Sequence, residues 1–159
     1  MGIERVGVIG AGQMGMGIAH VLSLAGIDVV LEDIDAQALA RARDTIEKNM
    51  HRQASRGLIK DDVIPAALSR IHASQSIEDM RDRELVIEAA TENEETKRKI
   101  FADLCPRLSK TAMVASNTSS ISITRLAAAT DRPEHFIGIH FMNPVPLMQL
   151  VEVIRGIAT

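Results

Sequence analysis

Residues 10–15 read Gly10-Ala11-Gly12-Gln13-Met14-Gly15, a G-x-G-x-x-G spacing placed directly after the apolar run 5–9. Gly10 permits a tight turn. Gly12 lets the backbone approach a pyrophosphate, and Gly15 lets the following helix pack closely on the strand. A helix opening there turns free N–H groups and the positive end of its dipole toward the phosphates. Asp33 follows Gly15 by 18 residues, at the end of the next apolar run. A carboxylate at that point accepts hydrogen bonds from both adenosine ribose hydroxyls and repels a 2′-phosphate. Glu32 and Asp35 add negative charge, and no Lys or Arg follows until Arg41. This combination points to NAD rather than NADP. Asp35, not Asp33, suits the N-cap of the next helix.

The elements that position these residues alternate between short apolar runs and helical patterns, as in an α/β fold with a parallel sheet. Strands are expected at 5–9, 27–32, 71–73, 85–89, 112–116, 136–141 and 150–154. Helices are expected at 14–25, 36–56, 60–68, 94–108 and 123–129. Ile18, Val21, Leu22 and Ala25 recur at core spacing, and Gly26 sits where a helix end favours glycine. The run 27–32 is almost continuously apolar, as buried parallel strands require. The expected fold is a Rossmann-type, doubly wound, mostly parallel sheet in a single domain, residues 1–159.

Composition narrows the function. The chain has 159 residues, a formal net charge of -3 and 2% aromatic residues, with no Trp or Tyr. A basic footprint and base-stacking aromatics, which nucleic-acid binders use, are both missing. No apolar run approaches the length of a membrane span, and no signal peptide is visible. A cytoplasmic protein is therefore expected. The single cysteine, Cys105, precedes Pro106 in an apolar helical stretch and reads as inert packing. His20, His51, His72 and His135 show no metal-ligand spacing, so no metal site is expected. The eight Met residues read as core filler.

Three later motifs add to the glycine turn. They are Glu88-Ala89-Ala90-Thr91-Glu92-Asn93, Ala115-Ser116-Asn117-Thr118-Ser119-Ser120 and His140-Phe141-Met142-Asn143-Pro144-Val145-Pro146, the last leading to Leu150-Val151-Glu152-Val153-Ile154. In this order they resemble the 3-hydroxyacyl-CoA dehydrogenases, including the bacterial 3-hydroxybutyryl-CoA dehydrogenases. The resemblance runs from the first strand to the last residue.

The resemblance implies a catalytic dyad of His140 and Glu152, with Ser119 near the reacting oxygen and the nicotinamide. Such a dyad suits the chemistry. Hydride loss from a secondary alcohol needs a base for the hydroxyl proton, and histidine serves in both directions. A carboxylate on its other nitrogen fixes the tautomer and stabilises imidazolium. Without the flanking motif, His140 would read as a strand-end histidine and Glu152 as an edge-strand surface charge. The resemblance further implies that Glu92, Lys97 and Asn143 contact the nicotinamide side of NAD. Without it, Glu92 and Lys97 would be ordinary helix-start and helix-surface charges, and Ser116 and Asn117 turn formers. Two CoA contacts are implied on the long helix, at Asn49 and Arg56. The family commonly has serine and lysine there, so both positions depart from its pattern, although Arg56 keeps a positive charge. Arg52 and Lys60 extend this basic stripe.

The implied reaction is NAD-dependent oxidation of an L-3-hydroxyacyl-CoA to a 3-oxoacyl-CoA, or the reverse, within fatty-acid or butanoate metabolism. In the family an all-helical C-terminal domain closes the cleft and forms the homodimer interface, and these 159 residues contain no counterpart. The expectation is an NAD-binding domain that turns over poorly alone and exposes an apolar patch around residues 141–150. Two other readings stay open. One is a 6-phosphogluconate-like 3-hydroxyacid dehydrogenase domain, against which the H-F-x-N-P-V-P run argues. The other is a non-catalytic NAD-binding module related to the family.

Overall fold

The computed structural model describes residues 2–159. Among these, seven strands form one sheet: β1 (Arg5–Ile9), β2 (Asp28–Glu32), β3 (Ile71–Ser74), β4 (Leu85–Glu88), β5 (Met113–Ser116), β6 (Phe136–Phe141) and β7 (Val151–Arg155). Their spatial order is β3-β2-β1-β4-β5-β6-β7. The first six pair in parallel, and β7 runs antiparallel along β6. Chain order reverses direction at β1, between β2 and β4. The crevice beyond the carboxyl ends of β1 and β4 is where such sheets hold their ligands.

Five α-helices connect the strands: α1 (Gln13–Leu24), α2 (Ala36–Ser55), α3 (Ile64–Ser69), α4 (Glu94–Leu104) and α5 (Ile123–Ala128). They cover both faces of the sheet, so the fold is Rossmann-type and doubly wound. One core joins Ile18 of α1, Ile46 and Met50 of α2 and Ala67 of α3 to Val8, Val29 and Leu31. The other joins Phe101 and Leu104 of α4 and Leu126 of α5 to Val86, Val114 and Phe136. Phe101 and Phe136 meet edge to face with ring centroids 5.0 Å apart, a favoured aromatic geometry. β4 is buried along its whole length, as its unbroken apolar run requires.

Element boundaries differ from the expected ones where proline intervenes. The helix expected over 94–108 stops at Leu104 and gives way to a 3₁₀ turn, Cys105–Arg107. Pro106 has no N–H to continue the ladder. The helix expected over 60–68 is a 3₁₀ turn, Asp61–Val63, followed by α3, which carries Pro65 in its first turn. Strand β7 lies one residue later than expected. Asp35 caps α2, accepting from the Gln37 amide at 2.9 Å. Cys105 is buried, and burial pushes its thiol up to about 11, so it stays protonated as packing. Among the described residues no helix is long and apolar enough to cross a membrane, and no three His, Cys, Asp or Glu side chains converge as a metal site.

Candidate active site

The glycine turn is built as its spacing requires. Gly10 has φ +102°, a left-handed conformation open to glycine. A Cβ on Gly15 would sit 1.6 Å from the Gly10 carbonyl oxygen, so only glycine lets α1 start this close to β1. A Cβ on Gly12 would meet no protein atom within 4 Å; the space that its hydrogen leaves open is space for a ligand. No side chain caps α1 at Gly12, in contrast to α2, α4 and α5. The first-turn amides of α1 therefore remain as donors toward the crevice. Asp33 braces the turn: its Oδ2 accepts from the Ala11 amide at 2.8 Å and its Oδ1 from the Asp35 amide at 2.9 Å. Each carboxylate oxygen keeps a further lone pair for a ribose hydroxyl.

Two cavities flank the turn and share Ala90 and Thr91. The first, about 440 Å³, brings together Gly12, Gln13, Met14, Glu92, Lys97, Ser119, His140 and Asn143. The second, about 510 Å³, contains Gly10, Glu32 and Asp33. Gly12 borders the first and Gly10 the second, so both open onto the glycine turn.

His140 and Glu152 are twelve residues apart in the chain and directly opposite each other in the β6–β7 ladder. His140 Nδ1 lies 2.8 Å from Glu152 Oε2. The imidazole is 21% exposed, the carboxylate 51%. With Nδ1 engaged by the carboxylate, Nε2 is the nitrogen left for proton exchange in the cleft. The Asn117 side chain accepts from the Phe141 amide at 2.8 Å and ties the β5 loop to the end of β6 beside His140.

Ser119 comes from the loop after β5. Its hydroxyl and its amide both donate to Glu92 Oε2, at 2.8 and 2.9 Å. Burial alone would raise the Glu92 carboxyl. Hydrogen bonds from Ser119 and the Thr118 hydroxyl, with the nearby Lys97 charge, outweigh this and hold it below the usual carboxylate range.

Lys97 is not the surface charge that its helical position alone suggests. It is 1% exposed, and its Nζ lies 2.5 Å from Oε1 of Glu88, which is fully buried. The Ser116 hydroxyl and the Ala90 amide also donate to Glu88, both at 2.9 Å. In the sequence alone Glu88 has no visible partner and Ser116 reads as a turn former. The available signal was an acidic residue closing the apolar run Leu85-Val86-Ile87, since a buried carboxylate needs a partner. This cluster joins the ends of β4 and β5 under the cleft, and Lys97 reaches on to Glu92 Oε1 at 3.6 Å.

Asn49 and Arg56 lie elsewhere. They line a smaller groove of about 170 Å³ between α2 and the loop bearing Pro144, Pro146 and Leu147. Arg52 shares this groove, whereas Lys60 does not line it. Leu147, Met148 and Leu150 are exposed, as are Val151 and Val153 on one face of β7 and Ile154 on the other. The patch thus extends beyond the expected 141–150.

Residues 5–159 match the family model described as the NAD-binding domain of 3-hydroxyacyl-CoA dehydrogenase. The chain is 63% identical over 157 residues to a 3-hydroxybutyryl-CoA dehydrogenase of Bradyrhizobium diazoefficiens, covering 99% of this chain and 54% of that protein. It is 42% identical to a 3-hydroxyadipyl-CoA dehydrogenase of Escherichia coli, covering 99% of this chain and 33% of that protein. The crystal structure of (S)-3-hydroxybutyryl-CoA dehydrogenase from Ralstonia eutropha superposes with a TM-score of 0.96 at 44% identity, covering 99% of this chain and 56% of that one. The chain spans about half the length of the 3-hydroxybutyryl-CoA dehydrogenases it matches. The open, uncapped glycine turn, the acidic tip of β2 and these matches agree on one assignment: the chain belongs to the 3-hydroxyacyl-CoA dehydrogenase family, as its NAD-binding domain.

Proposed function

We propose that this domain serves the NAD-dependent interconversion of an L-3-hydroxyacyl-CoA and its 3-oxoacyl-CoA, with His140 as the proton acceptor. The observation that carries the reading is the 2.8 Å contact between His140 and Glu152 at the mouth of the cleft that also holds Gly12. Bound NAD supplies the hydride acceptor for the substrate carbon. The chain's own residues do the rest. His140 takes the hydroxyl proton at Nε2 in the oxidative direction and returns it in the reverse. Glu152 holds the ring through Nδ1 and stabilises its charged form. Ser119 turns its hydroxyl from Glu92 Oε2, to which it donates in this structure, to the reacting oxygen, while its amide keeps the loop bonded to Glu92. Asn143 and Lys97 border the same cleft on the nicotinamide side.

The groove lined by Asn49 and Arg56 receives the CoA portion, and Arg52 adds charge for its phosphates. Its shared wall with the Pro144–Pro146 loop connects it to the segment just after His140. The acyl chain extends toward the exposed apolar surface of Leu147, Leu150 and Val153. On this reading a helical C-terminal half packs over that surface, excludes water from the cleft and carries the dimer contact.

Calorimetry with NAD and NADH oxidation with acetoacetyl-CoA test the proposal, on the wild type and on His140→Ala. The expected result is NAD binding by both, with slow NADH oxidation by the wild type alone. Addition of a helical C-terminal half should raise that rate. Turnover unchanged in His140→Ala would sink the assignment. NAD binding with no turnover under any condition would favour a non-catalytic NAD-binding module.

A further inference from the structure

The last two residues of the acidic β2 tip face different tasks. Asp33 turns to the glycine loop and is held there by the Ala11 and Asp35 amides. Glu32, its neighbour, turns away into the second cavity. Glu32 is only 6% exposed. Among the described residues its carboxylate receives no hydrogen bond and forms no ion pair. Lys99, which lines the same cavity, pairs instead with Glu95 at 2.9 Å. Ile9, Ile34, Ile77 and Ile100 supply apolar walls.

The Glu32 carboxylate keeps contact with solvent through the cavity and has no protein donor, so its oxygens are free to accept from a ligand. Burial, and then the charges of Asp33 and Asp103, push its proton affinity above the usual carboxylate value. A ligand that fills this cavity displaces that solvent, and the carboxylate, then dry, needs an N–H donor from the ligand. The ligand's identity follows from position. His140 and Ser119 line the other cavity, across the glycine turn, so the nicotinamide end lies there. Asp33 takes the ribose at the opposite end, and the base beyond that ribose enters the isoleucine-walled cavity. Apolar walls suit the faces of a purine, and the unpaired Glu32 carboxylate among them suits a purine that presents an amine.

We propose that Glu32 reads the adenine base of the bound dinucleotide by accepting a hydrogen bond from its exocyclic amine. This goes beyond NAD binding itself and rests on it. It makes Glu32 a specificity-determining residue, separate from the ribose contact at Asp33.

The test compares NAD with nicotinamide hypoxanthine dinucleotide, in which a carbonyl oxygen replaces the amine. Calorimetry on the wild-type chain should show NAD bound at least about tenfold more tightly, the range of a hydrogen bond to a charged group. Glu32→Leu should bring the two affinities within about threefold of each other. Glu32→Gln, nearly isosteric and able to donate to the carbonyl, should shift the preference toward the hypoxanthine analogue. Thermal denaturation confirms that each variant is folded. A wild-type preference retained in both variants would overturn the role of Glu32 while leaving NAD binding intact. Failure of the wild type to bind either dinucleotide would overturn the cofactor reading, and this role with it.

Discussion

His140 and Glu152 are register partners across the only antiparallel ladder described in the sheet, and their side chains meet at 2.8 Å. A spacing of twelve residues carries no geometric meaning by itself. It acquires one because the chain leaves β6 through the Pro144–Pro146 loop and returns as β7. Replacing Glu152 with Gln keeps the shape and removes the charge that steadies imidazolium. Hydride transfer, followed by NADH absorbance in the presence of a helical C-terminal half, should fall by about 10²- to 10⁴-fold. NAD affinity should stay within about twofold, because Glu152 does not line the glycine-turn cavity.

The glycines of the turn separate fold from binding. Gly15→Ala places a methyl against the Gly10 carbonyl oxygen and should lower the thermal midpoint, with NAD binding lost as well. Gly12→Ala meets no protein atom and should leave the midpoint within about 2 °C, since surface changes of this kind cost about 0.5 kcal/mol or less. Its methyl projects where a pyrophosphate must approach. NAD affinity should therefore drop by at least about tenfold, measured by calorimetry.

Lys97 and Glu88 should behave as a unit in stability. Lys97→Met leaves Glu88 buried without its cation and should cost about 3–5 kcal/mol in urea unfolding. The double variant Lys97→Met with Glu88→Gln removes the stranded charge and should recover at least half of that loss. If the two single losses simply add in the double variant, the pair is not coupled.

Acid stability should depend on a second cluster, far from the cleft. Burial would raise the Asp28 carboxyl, but hydrogen bonds from Arg83 and His72 and their charges hold it below the usual value. Asp82, bonded to Arg83, is lowered too. A carboxyl depressed in the folded state binds its proton more tightly when unfolded. Its contribution is thus complete above the unfolded value, about 3.9, and is lost as pH falls through the lower folded value. Asp28→Asn should flatten the loss of stability between about pH 4 and pH 2, read from urea midpoints.

Much of this was legible in the chain. The glycine turn and Asp33 stand out because phosphate and ribose impose fixed residue types at fixed spacing. The mostly parallel α/β sheet follows from alternating elements, and Asp35 announces itself as a cap. His140 and Glu152 needed their flanking motif, because only the hairpin places them together. Lys97 and Glu88 were not legible as partners. They are nine residues apart, one on a strand end and one on a helix, and nothing local says that the lysine turns inward. In the sequence Glu32 is only extra negative charge at the tip of β2. Its distinct role depends on which way each of two adjacent carboxylates points. The end of α4 at Leu104 was missed because the apolar pattern runs past Pro106, although the backbone ladder does not.

β7 is paired on one side only, and all five of its residues are exposed. The carboxylate that steadies the imidazole therefore rides on an open edge of the sheet. Were that margin to peel away, His140 would lose its counter-charge while the glycine turn after β1 and Asp33 after β2 stayed in place. A body clamped over β7 would do more than shield the cleft: by keeping the margin zipped, it would keep the proton acceptor assembled.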